Sequence, residues 1–203
     1  MTAALLLSLA MLAHPASSAG QAAPAGTHRE SLQYGLFGTV ALDYPAAAPK
    51  RSVLLFSDRG GPDDAMRVYA QGLAQDGSFV VAIDLDAYMA RLESLADACS
   101  FPAGHVEELA HWMERHAAMG SYQPPYVAGL GAGADFAYAL AVQAPSGTFA
   151  GVATLGYDFD FRLPRPFCAG DAGTPTAPAG KNFRIVPVRS MPLPWLALPF
   201  APG

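Results

Sequence analysis

Residues Tyr126–Ala134 read Tyr-Val-Ala-Gly-Leu-Gly-Ala-Gly-Ala, an apolar strand running into a glycine-rich turn and then into a helix expected over Ala134–Val142. The neighbouring segments repeat that alternation. Ser52–Ser57 (SVLLFS), Phe79–Ile83 (FVVAI) and Phe149–Leu155 (FAGVATL) are short apolar runs suited to strands buried on both faces. Between the first two lies Asp63–Gln75, with Met66, Tyr69, Ala70 and Leu73 at helical spacing and Gly77 to close it. Ala87–Ala98 and Val106–Ala118 also read as helices. Val106, Leu109, Trp112 or Met113, and His116 share one side of the latter. Tyr34–Leu42 is β-rich and ends in the turn-prone Asp43-Tyr44-Pro45. Leu163–Gly180 is rich in Pro, Gly and Ala and is expected to be irregular. Trp195–Phe200 is a last strand interrupted by Pro199. Buried strands alternating with amphipathic helices predict a three-layer α/β domain with a mostly parallel sheet.

A chain of 203 residues has room for one ordinary domain, and 52% hydrophobic against 14% charged residues excludes a charge-driven disordered chain. Seventeen acidic and twelve basic residues give a net charge of −5, so no basic face is expected for a nucleic acid. Two cysteines are too few for a disulfide scaffold, and the fold must rest on a packed core. Ala3–Ala13 is apolar but too short to span a bilayer. Ser17 and Ala19 supply the small residues wanted before a signal-peptidase cut. Residues 1–19 are therefore expected to be a signal peptide, which would make the protein periplasmic or otherwise exported. The n-region departs from the pattern, since no Lys or Arg precedes Arg29, and a buried N-terminal helix is the alternative. Residues 20–33, opening on Gln21–Gly26, read as a linker, and the domain is expected over 34–203.

The opening stretch admits three readings. Gly129, Gly131 and Ala134 fit G-x-G-x-x-A, a dinucleotide fingerprint, with Asp158 after the next strand as a ribose acceptor. The fingerprint normally opens the first βαβ unit, whereas two strand–helix units precede it here. Alternatively, Gly129, Gly131 and Gly133 form a nucleophile elbow, G-x-S-x-G, with glycine in the serine position. Gly131 has no hydroxyl, so no acyl intermediate can form there. The third reading is a close strand–helix crossing that needs small residues and does no chemistry. His14, His28, His105, His111 and His116 all precede the elbow, and none follows Gly133. A hydrolase of this plan needs its acid and then its histidine after the nucleophile. No Cys, His or carboxylate completes a zinc set with His111 and His116, so neither metal nor cofactor is expected.

Three stretches carry a family resemblance. The first is Phe37-Gly38-Thr39-Val40 with Val53–Phe56 and the loop Ser57-Asp58-Arg59-Gly60-Gly61. The second is Cys99-Ser100-Phe101-Pro102. The third runs from Pro125 to Gly170 and includes Gln143-Ala144-Pro145, Gly147–Gly151, Leu155-Gly156-Tyr157 and Pro166–Gly170. Together they resemble the bacterial virulence domain of the VirJ/AcvB family over about residues 34–200. The resemblance implies an α/β-hydrolase fold, export to the periplasm, and kinship with hydrolases of aminoacyl-phosphatidylglycerol, some with two such domains in tandem.

The departures point away from catalysis. Serine is replaced by Gly131. The loop Ser57, Asp58, Gly60 and Gly61, which in the family supplies an oxyanion-hole N–H, carries a side chain at Asp58 and a ring at Pro62. A family cysteine is replaced by Asp158, and the sequence stops before the family's acid and histidine. The expectation is thus a catalytically inactive, C-terminally truncated α/β-hydrolase-like binding or structural domain. The alternatives are part of an aminoacyl-phospholipid hydrolase completed by a second domain or chain, and a nucleotide-binding domain. Expected partners are a sister catalytic domain, a second copy through the C-terminal edge strand, or a phospholipid-related ligand. Export would let Cys99 pair with Cys168. The family's cysteine usage instead gives each a different lost partner, and two buried thiols are the third option.

Overall fold

The computed structural model describes residues 26–117 and 119–199. The expected signal peptide, His14 and Phe200 lie outside the described residues. β1 (Thr27–Tyr34) and β2 (Gly38–Pro45) flank a single 3-10 turn, Gly35–Phe37. Then come β3 (Arg51–Phe56), α1 (Asp64–Gln75), β4 (Ser78–Ile83), α2 (Leu85–Glu93), α3 (Pro102–His116), β5 (Tyr126–Leu130), α4 (Ala132–Gln143) and β6 (Gly151–Leu155). The chain continues through β7 (Arg162–Leu163), β8 (Thr176–Ala179), β9 (Asn182–Ile185) and β10 (Trp195–Leu198).

Seven strands form one sheet in the order β1-β2-β4-β3-β5-β6-β10. β4, β3, β5, β6 and β10 pair in parallel, and β2 runs antiparallel to both neighbours. Every residue of β4 is buried, as is all of β3 except Arg51, which explains their unbroken apolar runs. Leu54, Phe56, Val81 and Ile83 pack beneath α2, α3 and α4. Val53, Leu55, Val80 and Ala82 face the other way, toward Met66 and Ala70 of α1. Helices therefore cover both faces, and the expected three-layer α/β architecture is present.

Three expectations change. The segment 20–33 is not a linker throughout: Thr27–Tyr34 pairs with β2 along its whole length and belongs to the large sheet. The β-rich Tyr34–Leu42 holds the turn itself, bracketed by Gly35 (φ 44°) and Gly38 (φ 70°), and the turn-prone Asp43-Tyr44-Pro45 instead continues β2, paired with β1. Leu163–Gly180 is not wholly irregular, since β7, β9 and β8 form a small antiparallel sheet. Each miss has a physical cause. β1 is an edge strand with His28, Arg29 and Glu30 in succession, which breaks any apolar alternation, and the small sheet has strands of two to four residues, too short for a period to show.

Cys99 and Cys168 are joined in a disulfide, with Cα atoms 5.0 Å apart. Gln143, at the end of α4, holds the same junction. Its amide nitrogen donates to the carbonyls of Ser100 (2.8 Å) and Cys168 (3.0 Å), and its side-chain oxygen accepts from Ala103 N–H at 3.2 Å.

Candidate functional site: a glycine elbow closed by Asp58

The turn between β5 and α4 has the geometry of an elbow. Gly131 is the N-cap of α4, with φ 51° and ψ −117°. A Cβ on Gly129 would lie 1.9 Å from the Gly133 carbonyl oxygen, and one on Gly133 would lie 2.4 Å from the Ser57 carbonyl oxygen. The crossing of strand and helix thus leaves no room for side chains at either flank, as the elbow motif requires. Gly131 N–H donates to Leu155 C=O at 2.8 Å and ties the turn to β6.

What occupies the elbow comes from the loop after β3. Asp58 Oδ1 accepts from its neighbour Arg59 N–H at 2.7 Å and from Ala132 N–H at 2.8 Å. Those amides are the pair expected to form an oxyanion hole: one from the loop after the first buried parallel strand, one from the residue after the nucleophile position. The carboxylate also fills the space above Gly131, where a Cβ would lie 2.3 Å from Asp58 Cγ and both carboxylate oxygens. The rest of the loop is committed to structure. Ser57 is fully buried and its Oγ accepts from Leu85 N–H at 3.0 Å. Gly60 N–H donates to Asp86 Oδ2 at 2.7 Å, and a Cβ on Gly61 would press on Asp84, the cap of α2.

A cavity of about 450 Å³ adjoins the elbow, lined by Asp58, Asp135, Asp158, Asp160, Tyr157 and Phe161 among others. The Arg59 guanidinium stands 5.1 Å from the Phe161 ring centre. Asp135 has no exposed surface and accepts from the N–H groups of Asp158 (3.1 Å), Phe159 (3.0 Å) and Phe161 (3.1 Å). Burial pushes its carboxyl above the ordinary value, against the pull of those hydrogen bonds. Asp135 therefore fixes the 158–161 loop, including the left-handed Phe159 (φ 59°). Sequence reasoning passed over Asp135, whose only signal is an acid in an otherwise apolar helix. Asp158, the ribose acceptor of the nucleotide reading, uses Oδ1 to accept from Asp160 N–H at 2.9 Å.

None of the described histidines lines this cavity. His28 packs on Tyr44, His111 stacks on Tyr122 at 4.5 Å, and His116 stacks on Trp112 at 4.6 Å. His105 Nδ1 lies 2.9 Å from the buried Tyr88 hydroxyl. Burial lowers the His105 pKa, partly offset by Glu108 and Asp97.

The fold is α/β-hydrolase-like. It has a mostly parallel sheet with one antiparallel strand, helices on both faces, and a tight glycine elbow from a central strand into a buried helix. The chain is similar to solved structures of esterases and related hydrolases. S-formylglutathione hydrolase from Staphylococcus aureus is 14% identical, with a TM-score of 0.46 over 69% of this chain and 63% of that one. Esterase B from Lactobacillus rhamnosis is 18% identical, with a TM-score of 0.47 over 68% and 52%. Brefeldin A esterase, a bacterial homologue of human hormone-sensitive lipase, is 18% identical, with a TM-score of 0.44 over 73% and 43%. The match thus spans less than two thirds of each of these structures. No family model matches the chain, and no curated protein matches it.

Proposed function

We propose that this chain is an exported, catalytically inactive domain of the VirJ/AcvB type that acts by binding or as a structural partner. One observation carries the reading. The Asp58 carboxylate takes the two amides that would stabilise an oxyanion and fills the volume where a nucleophile's side chain would stand. A substrate carbonyl at the elbow would meet a negative charge where the reaction needs donors. Gly131 offers no nucleophile, and no described histidine reaches the cavity to act as base. The same carboxylate opposes the nucleotide reading, because a phosphate at the start of α4 would have to displace it. Export is supported by the Cys99–Cys168 disulfide, which persists in oxidising compartments.

The test is labelling by a fluorophosphonate probe together with hydrolysis of short-chain nitrophenyl esters. The wild-type chain and Gly131→Ser are expected to give neither, since a serine there would still lack a base and face Asp58. Labelling of the wild-type chain, or ester turnover by Gly131→Ser well above background, would overturn the proposal.

A further inference from the structure

Charge is segregated along this chain. Residues 161–203 carry five basic side chains and one acid, a net +4, whereas residues 1–160 carry seven basic and sixteen acidic side chains, a net −9. Arg165 is committed to structure, donating to the carbonyls of Glu93 and Asp97. The other four cations of the C-terminal part, Arg162, Lys181, Arg184 and Arg189, are exposed.

The small sheet gathers three of them. Its strands lie in the order β7-β9-β8, and the register sets Arg162 directly opposite Arg184, with Ala177 on the other side of Arg184. Leu163, Phe183 and Ile185 alternate with these residues and pack on the core. Arg162 and Arg184 therefore stand together on the outer face, beside Asn182 and Ala179. Lys181 is in the two-residue turn between β8 and β9. Arg162 bonds Asp160 at 2.7 Å, but the side chains of Lys181 and Arg184 have no hydrogen bond or ion pair among the described residues.

Like charges directly opposite one another destabilise a sheet. This sheet bears them because it is anchored from beneath. Cys168 is bonded to Cys99, Thr176 Oγ1 accepts from Phe167 N–H at 3.1 Å, and Val188 N–H donates to the Tyr138 hydroxyl at 2.8 Å. Nor is this an interior face left uncovered, since an apolar segment laid over it would bury guanidinium groups without partners.

We propose that the outer face of the small sheet docks an acidic protein segment whose carboxylates meet Arg162, Arg184 and Lys181. A guanidinium takes a carboxylate through two parallel N–H groups, and the small Ala177 and Ala179 leave Arg184 open from the β8 side. An anionic bilayer fits less well. It would press on Asp160, whose side chain is 73% exposed beside Arg162, and it would face a molecule of net charge −5. A narrow acidic segment can lie over the cations and avoid both. A nucleic acid would find no ring on the outer face for its bases to stack on, because Phe183 points to the core. None of Arg162, Lys181 and Arg184 lines the elbow cavity, so the inference does not depend on the elbow being inactive.

The experiment is fluorescence anisotropy of labelled hexaglutamate titrated with the disulfide-intact chain. Saturable binding that weakens as salt is added is expected, with no binding of hexalysine. Arg184→Glu should lower the affinity about ten-fold or more. Lys50→Glu makes the same change in net charge at an exposed site elsewhere, and should leave the affinity within about two-fold. Arg184→Glu also sets opposite charges across β7 and β9, so its melting temperature should rise, which separates lost binding from lost folding. Absence of binding, equal losses from the two substitutions, or a melting temperature that falls with Arg184→Glu would each overturn the proposal. So would tighter binding to phosphatidylglycerol vesicles or to a single-stranded oligonucleotide than to hexaglutamate.

Discussion

At Gly131 the backbone conformation and the neighbouring carboxylate act on the same atom position. The φ of 51° already strains any residue with a Cβ, and that Cβ would also lie 2.3 Å from Asp58. Gly131→Ser should therefore cost about 1–3 kcal/mol of stability. Asp58→Gly removes the clash but leaves Ala132 N–H without its acceptor. The double variant should be more stable than the sum of the two single effects predicts, by on the order of 1 kcal/mol, because the residues touch. Urea unfolding of the four proteins checks this, and additive losses would mean that the Asp58 side chain does not sit over the elbow. His105 provides a second test at this scale. Burial lowers its folded pKa below the ordinary 6.5, so the folded state prefers the neutral ring that faces the Tyr88 hydroxyl. Its contribution is complete above 6.5 and falls as pH drops below that value toward the folded pKa. The melting temperature should decline as pH falls below about 6.5, and His105→Gln should flatten that slope. Equal slopes in both proteins would assign the decline to other groups.

Among the elements, the sequence was most legible where a run is buried on both sides. SVLLFS and FVVAI read as central strands because their apolar runs are unbroken, and they fall in β3 and β4. The elbow was legible as well, through three glycines at alternate positions. What the sequence concealed was the partner of each glycine. Nothing in Ser57-Asp58-Arg59 says that the carboxylate crosses to α4, because that contact spans 74 positions and depends on how β3 and β5 lie side by side. The 158–161 loop was hidden for a similar reason. Its order comes from Asp135, one buried acid that accepts three backbone N–H groups. Asp135→Ala leaves those donors unpaired in a dry site and should cost about 3 kcal/mol or more. Limited proteolysis should then cut first within residues 158–161. Cleavage elsewhere at an unchanged rate would show that the loop is held by Phe161 and Arg59 instead.

Over the whole molecule, the disulfide links the segment before α3 to the connection between β7 and β8 of the small sheet. Composition could not decide between a bridge and two separate thiols, since both cysteines sit in irregular stretches and their approach depends on where α4 ends. The two cysteines are 69 positions apart, so closing that loop in the unfolded chain is worth about 4 kcal/mol on the chain-entropy account. The native junction does not depend on sulfur alone. Ser100 N–H donates to Pro166 C=O and Cys168 N–H to Ser100 C=O, each at 2.9 Å, and Gln143 spans both arms. The reduced protein should therefore keep its fold while losing about 2–4 kcal/mol. Urea unfolding with and without reductant, repeated on Cys99→Ser/Cys168→Ser, should show a lower midpoint. The slope should rise modestly, because an uncrosslinked chain expands further on unfolding. Adding Gln143→Ala to the reduced protein leaves the arms joined only by backbone hydrogen bonds, and its loss should exceed the loss in the oxidised protein, where the bridge still holds them together. Equal losses in the two states would show that Gln143 and the disulfide stabilise the junction independently.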